Sequence, residues 1–175
     1  MKKFLFFGLL TVFALTGYTA CAQSGPAPSP SSKLEQKVGL TDVTIEYSRP
    51  SMKDRTVMGT LVPYGQTWRT GANSATKITF SDDVTIEGKS LTAGSYALFT
   101  TPGKDSWGVM FHKYDQAGAG SYGDKEPALK VMVIPTPIEC TVESFLINVD
   151  ELRDKGATIQ LIWEQTLVPI KLGVK

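Results

Sequence analysis

Along most of the chain, apolar and polar residues alternate with a period of two, the spacing of a strand that buries one face. Val43-Thr44-Ile45-Glu46-Tyr47 is the clearest run, followed by Lys77-Ile78-Thr79-Phe80 and Val84-Thr85-Ile86. Tyr96-Ala97-Leu98-Phe99 is apolar and aromatic, and Trp107, Val109 and Phe111 share one parity. Leu129 to Ile134, Val142 to Val149, Ala157 to Glu164 and Val168 to Leu172 complete the set. Each run is short, rich in β-branched or aromatic residues, and bounded by turn formers. Glu87-Gly88-Lys89 and Pro102-Gly103-Lys104-Asp105 read as hairpin connections, and Ala93-Gly94 and Lys155-Gly156 as further turns. Between Glu143 and Leu152 a helix competes, but Phe145, Ile147 and Val149 keep period two. The pattern predicts an all-β domain: an antiparallel β-sandwich, jelly-roll or immunoglobulin-like, with a closed barrel as the alternative because it gives the same alternation.

Two segments break the rhythm. Arg49 to Thr76 carries little clean alternation, and Tyr114 to Pro127 is a Gly-rich loop. Long loops in compact domains are often functional.

The N-terminus follows a different logic. Lys2 and Lys3 precede a nearly unbroken apolar run, Phe4 to Leu15, and then the small cluster Thr19-Ala20-Cys21-Ala22. This is the three-part pattern of a secretory signal peptide, and the run is shorter than the roughly 20 residues that span a bilayer. We therefore expect residues 1–22 to be a signal peptide, 23–32 a Pro/Ser-rich tether, and 33–175 one β-rich domain, exported to the periplasm or secreted. Ala20-Cys21-Ala22 reads as a cleavage site. The alternative makes Cys21 a lipidated N-terminus and the protein a lipid-anchored envelope protein. Neither version leaves a transmembrane helix in the mature chain.

Composition narrows the partners. Without Lys2 and Lys3, 16 of the 18 basic residues remain against 17 acidic ones, a formal charge of −1. No basic field exists to draw nucleic acid. Cys140 has no disulfide partner in a mature chain and is expected as a small buried residue.

Few motifs carry chemistry. Gly118-Ala119-Gly120-Ser121-Tyr122-Gly123 matches G-x-G-x-x-G, but a strand follows where a dinucleotide site needs a helix, so it reads as loop. His112 is the only histidine; it points away from the Trp107, Val109, Phe111 face, and lone it indicates neither a metal nor a Ser-His-Asp triad. Asp82-Asp83 and Asp150-Glu151 are adjacent pairs that face opposite ways on a strand. Asp115, Asp124 and Glu126 lack the ligand spacing of a calcium loop. No catalytic residue, metal site or cofactor is therefore assigned. The more informative cluster is cationic. Arg49 ends the apolar face of Val43, Ile45 and Tyr47, and Gln66-Thr67-Trp68-Arg69-Thr70-Gly71-Ala72-Asn73 mixes flat rings with planar hydrogen-bonding groups. Such a mixture suits a sugar, a carboxylate or a peptide end; it equally suits a rigid polar lock.

Leu40-Thr41-Asp42-Val43-Thr44-Ile45-Glu46-Tyr47-Ser48-Arg49-Pro50-Ser51, Leu61-Val62-Pro63-Tyr64-Gly65-Gln66-Thr67-Trp68-Arg69-Thr70-Gly71-Ala72-Asn73, Leu91 to Phe99 and Trp163 resemble the secreted bacterial family catalogued as domain of unknown function 2911. The resemblance runs from about Lys33 to Lys175. It implies export and a β-rich fold, and brings no activity.

The functional expectation is a noncatalytic module that binds a small polar ligand, an envelope glycan or a protein partner through Tyr47, Arg49, Trp68, Arg69, Asn73 and Tyr122. Two alternatives stand beside it. One is an envelope-acting, glycosidase-like hydrolase, which needs two convergent carboxylates or a carboxylate with His112. The other is a purely structural protein. Oligomeric state is not readable.

Overall fold

The computed structural model describes residues 25–122 and 125–175. The signal-peptide and Cys21 readings lie outside the described residues. Ten strands follow in chain order: β1 (Ser31–Val38), β2 (Thr41–Ser48), β3 (Thr76–Phe80), β4 (Val84–Ile86), β5 (Lys89–Leu91), β6 (Gly94–Thr101), β7 (Trp107–Lys113), β8 (Leu129–Val133), β9 (Thr136–Arg153) and β10 (Gly156–Gly173). They form a six-stranded sheet in the order β1-β2-β3-β6-β7-β8 and a four-stranded sheet in the order β5-β4-β10-β9. Every pairing between these strands is antiparallel. The molecule is an antiparallel β-sandwich with two open sheets, and the barrel alternative falls away.

Alternation builds the core. Val43, Ile45 and Tyr47 of β2, Ile78 and Phe80 of β3, Leu98 of β6, and Val109 and Phe111 of β7 face Phe145, Ile147, Ile159, Leu161 and Trp163 of the other sheet, all buried. The β4–β5 connection pairs Ile86 with Lys89 across Glu87-Gly88, whose φ values are 48° and 77°. Two positive φ angles in a two-residue loop match the right-handed twist of the flanking strands, and glycine takes the second without strain.

Three differences from the sequence reading have physical causes. β1 was missed and begins at Ser31, inside the segment read as tether; it is an edge strand whose Lys33, Glu35 and Lys37 are exposed and whose only fully buried residue is Val38. Charged side chains protect such an edge from pairing with other chains, and they also erase the hydrophobic signal. β5 was missed because three residues carry no period. The runs Ala157–Glu164 and Val168–Leu172 are one strand, β10, interrupted by register shifts at Glu164 and Thr166. Thr158 aside, buried positions switch there from odd numbers (157, 159, 161, 163) to even ones (168, 170, 172), because a bulge moves every following side chain to the other face.

Candidate functional site

The six residues expected to form one recognition surface occupy three places. Tyr47, Arg49 and Trp68 lie between the sheets. Tyr47 is buried; its hydroxyl accepts the Ile147 N–H at 3.0 Å and donates to the Ile147 carbonyl at 3.4 Å. Arg49 is half-buried, and its Nε donates to the Phe145 carbonyl at 2.9 Å. Trp68 is half-buried, stacks on Trp163 with ring centroids 5.8 Å apart, meets Phe145 edge-on at 5.0 Å, and donates from Nε1 to the Gly71 carbonyl.

Arg69 and Asn73 are exposed on the long excursion between β2 and β3. Arg69 Nη1 donates to the Asn73 carbonyl at 2.9 Å. Asn73 sits at φ 58° and donates from Nδ2 to the Ser29 carbonyl and to Ser48 Oγ. Its side chain thus ties the approach to β1 onto the end of β2. One exposed hydrogen bond holds little stability, so Arg69→Ala should lower the melting temperature by less than about 3 °C, on the order of 0.5–1 kcal/mol. Scanning calorimetry checks this; a fall beyond about 5 °C would make Arg69 a structural lock.

Tyr122 lies on the other face of the six-stranded sheet. The loop after β7 folds back over that face through a 3-10 turn at Ala119–Tyr122. The G-x-G-x-x-G stretch contains this turn and no α-helix among the described residues, in keeping with the loop reading. Ala75, Ala97, Phe99, Met110 and Tyr122 form a second small core beneath the loop. The Tyr122 hydroxyl donates to the Gln116 carbonyl at 2.6 Å and accepts the N–H groups of Asp115 and Gln116 at 3.2 Å, which fixes the loop's start.

Between loop and sheet is a cavity of about 340 Å³, lined by Thr67, Arg69, Phe99, Met110, His112, Ala119, Tyr122, Lys125 and Pro127. This is within the size range of small-molecule sites. It brings Arg69 and Tyr122 together with His112, which the sequence marked only as pointing away from the Trp107, Val109, Phe111 face. His112 is only 6% exposed and packs edge-on against Phe99 at 5.5 Å and Tyr122 at 5.8 Å. Its Nδ1 is the one buried side-chain nitrogen or oxygen without a hydrogen-bond partner among the described residues. An unpaired buried polar atom costs about 1–3 kcal/mol, so folds rarely keep one without a use. The signal was available in sequence. Phe99 and Met110 put large apolar groups on the parity that should face water, which marks a sheet covered on both sides.

The cavity's charge is positive. The Lys125 ammonium pairs with Asp115 and lies 5.3 Å from the Tyr122 ring centroid; the Lys125 hydrogen bond holds the Asp115 carboxyl below its usual pKa. Burial first, then the Lys125 charge, lower the His112 pKa, with Glu126 opposing. The folded state therefore resists a proton that the unfolded chain takes up near pH 6.5. Stability should be indifferent to this group above about pH 7.5 and should fall as pH drops below about 6.5. Melting temperatures taken from about pH 7.5 down to about pH 5, beside a His112→Gln variant with a flatter profile, check the prediction.

A larger groove of about 420 Å³ is lined in part by Ser31, Lys33, Glu46, Ser74, Lys77 and Tyr114. Its charged groups are satisfied internally: Lys77 bridges Glu46 at 3.2 Å and lies over the Tyr114 ring, and Lys33 pairs with Glu35. The adjacent acids serve local structure. Asp83 accepts the Ala93 N–H, Asp150 accepts the Glu151 N–H, and Glu151 accepts the Thr158 hydroxyl. No group of three metal-ligating side chains converges among the described residues. Cys140 corrects the expectation of burial: it is exposed on β9, where the strand runs out beyond the core. No described helix is long and apolar enough to cross a membrane.

No curated protein and no solved structure matches the chain. The model of the family described as "Protein of unknown function (DUF2911)" matches residues 29–172, which spans every strand in full except for the final residue of β10. The match covers both sheets, the β2–β3 excursion and the loop over the cavity, and on that footing the chain belongs to the DUF2911 family of proteins of unknown function.

Proposed function

We propose that this is an exported, noncatalytic binding module that takes a small polar ligand of the cell envelope in the cavity beneath the 114–127 loop. One observation carries the reading. His112 Nδ1 is buried without a partner among the described residues, and His112 lines a cavity that also has Arg69, Lys125 and an aromatic wall. A ligand polar atom would supply the missing hydrogen bond, the rings would cover its apolar side, and Arg69 would orient it. Tyr47, Arg49 and Trp68 support the site from behind, by fixing the excursion that presents Thr67 and Arg69. The leader pattern of residues 1–22 supports export.

A thermal-shift screen of sugars, amino acids and organic acids tests the proposal. A ligand at 100 times its Kd adds about 2.7 kcal/mol to stability, a rise of roughly 5–10 °C here. Filling the cavity with Ala119→Trp, or Ala119→Leu if the larger ring prevents folding, should abolish that rise. A ligand whose stabilisation survives both variants binds elsewhere and removes the site.

A further inference from the structure

We infer that the group this cavity selects is a carboxylate carried on an apolar or aromatic body; the inference rests on the cavity being the ligand site. Three observations converge on it. The lining contains no carboxylate, yet it contains Arg69 and Lys125. Lys125 is already neutralised by Asp115. Arg69 spends one N–H on the Asn73 carbonyl and forms no ion pair among the described residues. Arg69 is therefore the unmatched charge, and a guanidinium offers a planar fork of donors that fits a carboxylate with two parallel hydrogen bonds.

The remaining wall sets the body of the ligand. Phe99, Met110, Ala119, Tyr122 and Pro127 are apolar or aromatic; the Tyr122 hydroxyl is spent on the backbone of Asp115 and Gln116, and Thr67 carries the other hydroxyl. A polyhydroxylated sugar acid would leave most of its hydroxyls facing these groups without partners, at the usual cost of buried polar atoms. A flat apolar body satisfies them, and one hydroxyl on it can reach His112, whose neutral ring offers either a donor or an acceptor according to tautomer.

The chain has a single histidine, so His112 gives one isolated set of ring resonances in the tag-free, isotope-labelled protein. We would titrate 4-hydroxyphenylacetate, its neutral amide 4-hydroxyphenylacetamide, and glucuronate. The expected result is a saturable shift of the His112 resonances with the aromatic acid. Binding should be at least roughly tenfold weaker for the amide and for the Arg69→Gln variant, as expected when a charged hydrogen bond is lost. Equal binding of acid and amide would overturn the carboxylate and leave the cavity standing as a site. Preferential binding of glucuronate would overturn the apolar body. Failure of all three probes to move His112 would overturn the inference, while the reading of the cavity would still stand or fall with the thermal-shift screen and the Ala119 variants.

Discussion

Trp163→Ala should lower the melting temperature by roughly 10–15 °C. The indole is 2% exposed in the middle of β10. It stacks on Trp68 at 5.8 Å with an interplanar angle of 23°, meets Phe145 at 5.8 Å, and donates from Nε1 to the Glu143 carbonyl at 3.1 Å. Three chain segments therefore share this ring: β10, β9 and the excursion between β2 and β3. Truncation of a buried Trp costs about 3–5 kcal/mol through lost transfer energy and the cavity left behind. For a chain of this size each kcal/mol is worth about 2–4 °C. The excursion pairs with the sheets only through isolated bridges such as Trp68 with Thr100, so much of its order rests on this cluster and on Glu164, whose carboxylate accepts the N–H groups of Val57 and Met58. Trp163→Phe keeps a ring on Trp68 and should recover about half the loss. Calorimetry on both variants decides the matter: an alanine variant that melts within about 3 °C of the parent would mean that the ring cluster is not what anchors the excursion.

The sandwich was legible because burial on one face forces period two, and nearly every strand with a clean period is present. What stayed hidden was either short, masked by charge, or dependent on contacts between distant segments. β5 is three residues long, and β1 alternates Lys33, Glu35 and Lys37 with half-buried partners. The bulge at Glu164 reset the parity of β10, so one strand read as two. The site divides in the same way. Residue chemistry pointed to Arg69 and Tyr122 as ligand-facing types. Nothing local says that the loop folds back over β6 and β7, so their meeting at His112 was not readable. Arg49 and Tyr47 were readable as polar groups ending an apolar face, but not as donors to β9, because strand order decides which backbone lies opposite. Phe99 and Met110 held the one neglected clue, an apolar outer face.

Tyr47→Phe should cost about 2–3 kcal/mol, a far larger penalty than one hydroxyl usually carries. β9 ends the four-stranded sheet, so the N–H and C=O groups on its outer side have no neighbouring strand. Residues 47–52 supply partners instead. The Tyr47 hydroxyl takes both backbone groups of Ile147, Arg49 Nε donates to the Phe145 carbonyl, the Pro50 carbonyl accepts the Phe145 N–H, and the Met52 N–H donates to the Glu143 carbonyl. Phenylalanine would keep the edge-on contact with Phe145, whose centroid lies 5.8 Å away. It would leave the Ile147 N–H and carbonyl unpaired between the sheets, where water does not reach. The melting temperature should fall by roughly 5–10 °C, and the Ile147 amide should exchange with solvent faster than its neighbours in β9. Tyr64→Phe is the control: that ring is 41% exposed, and its loss of a hydroxyl should leave the melt unchanged. If the two variants melt alike, the edge of β9 is closed by Arg49 and residues 50–52 alone. The junction behind the candidate site would then rest on backbone pairing, with no part played by the tyrosine.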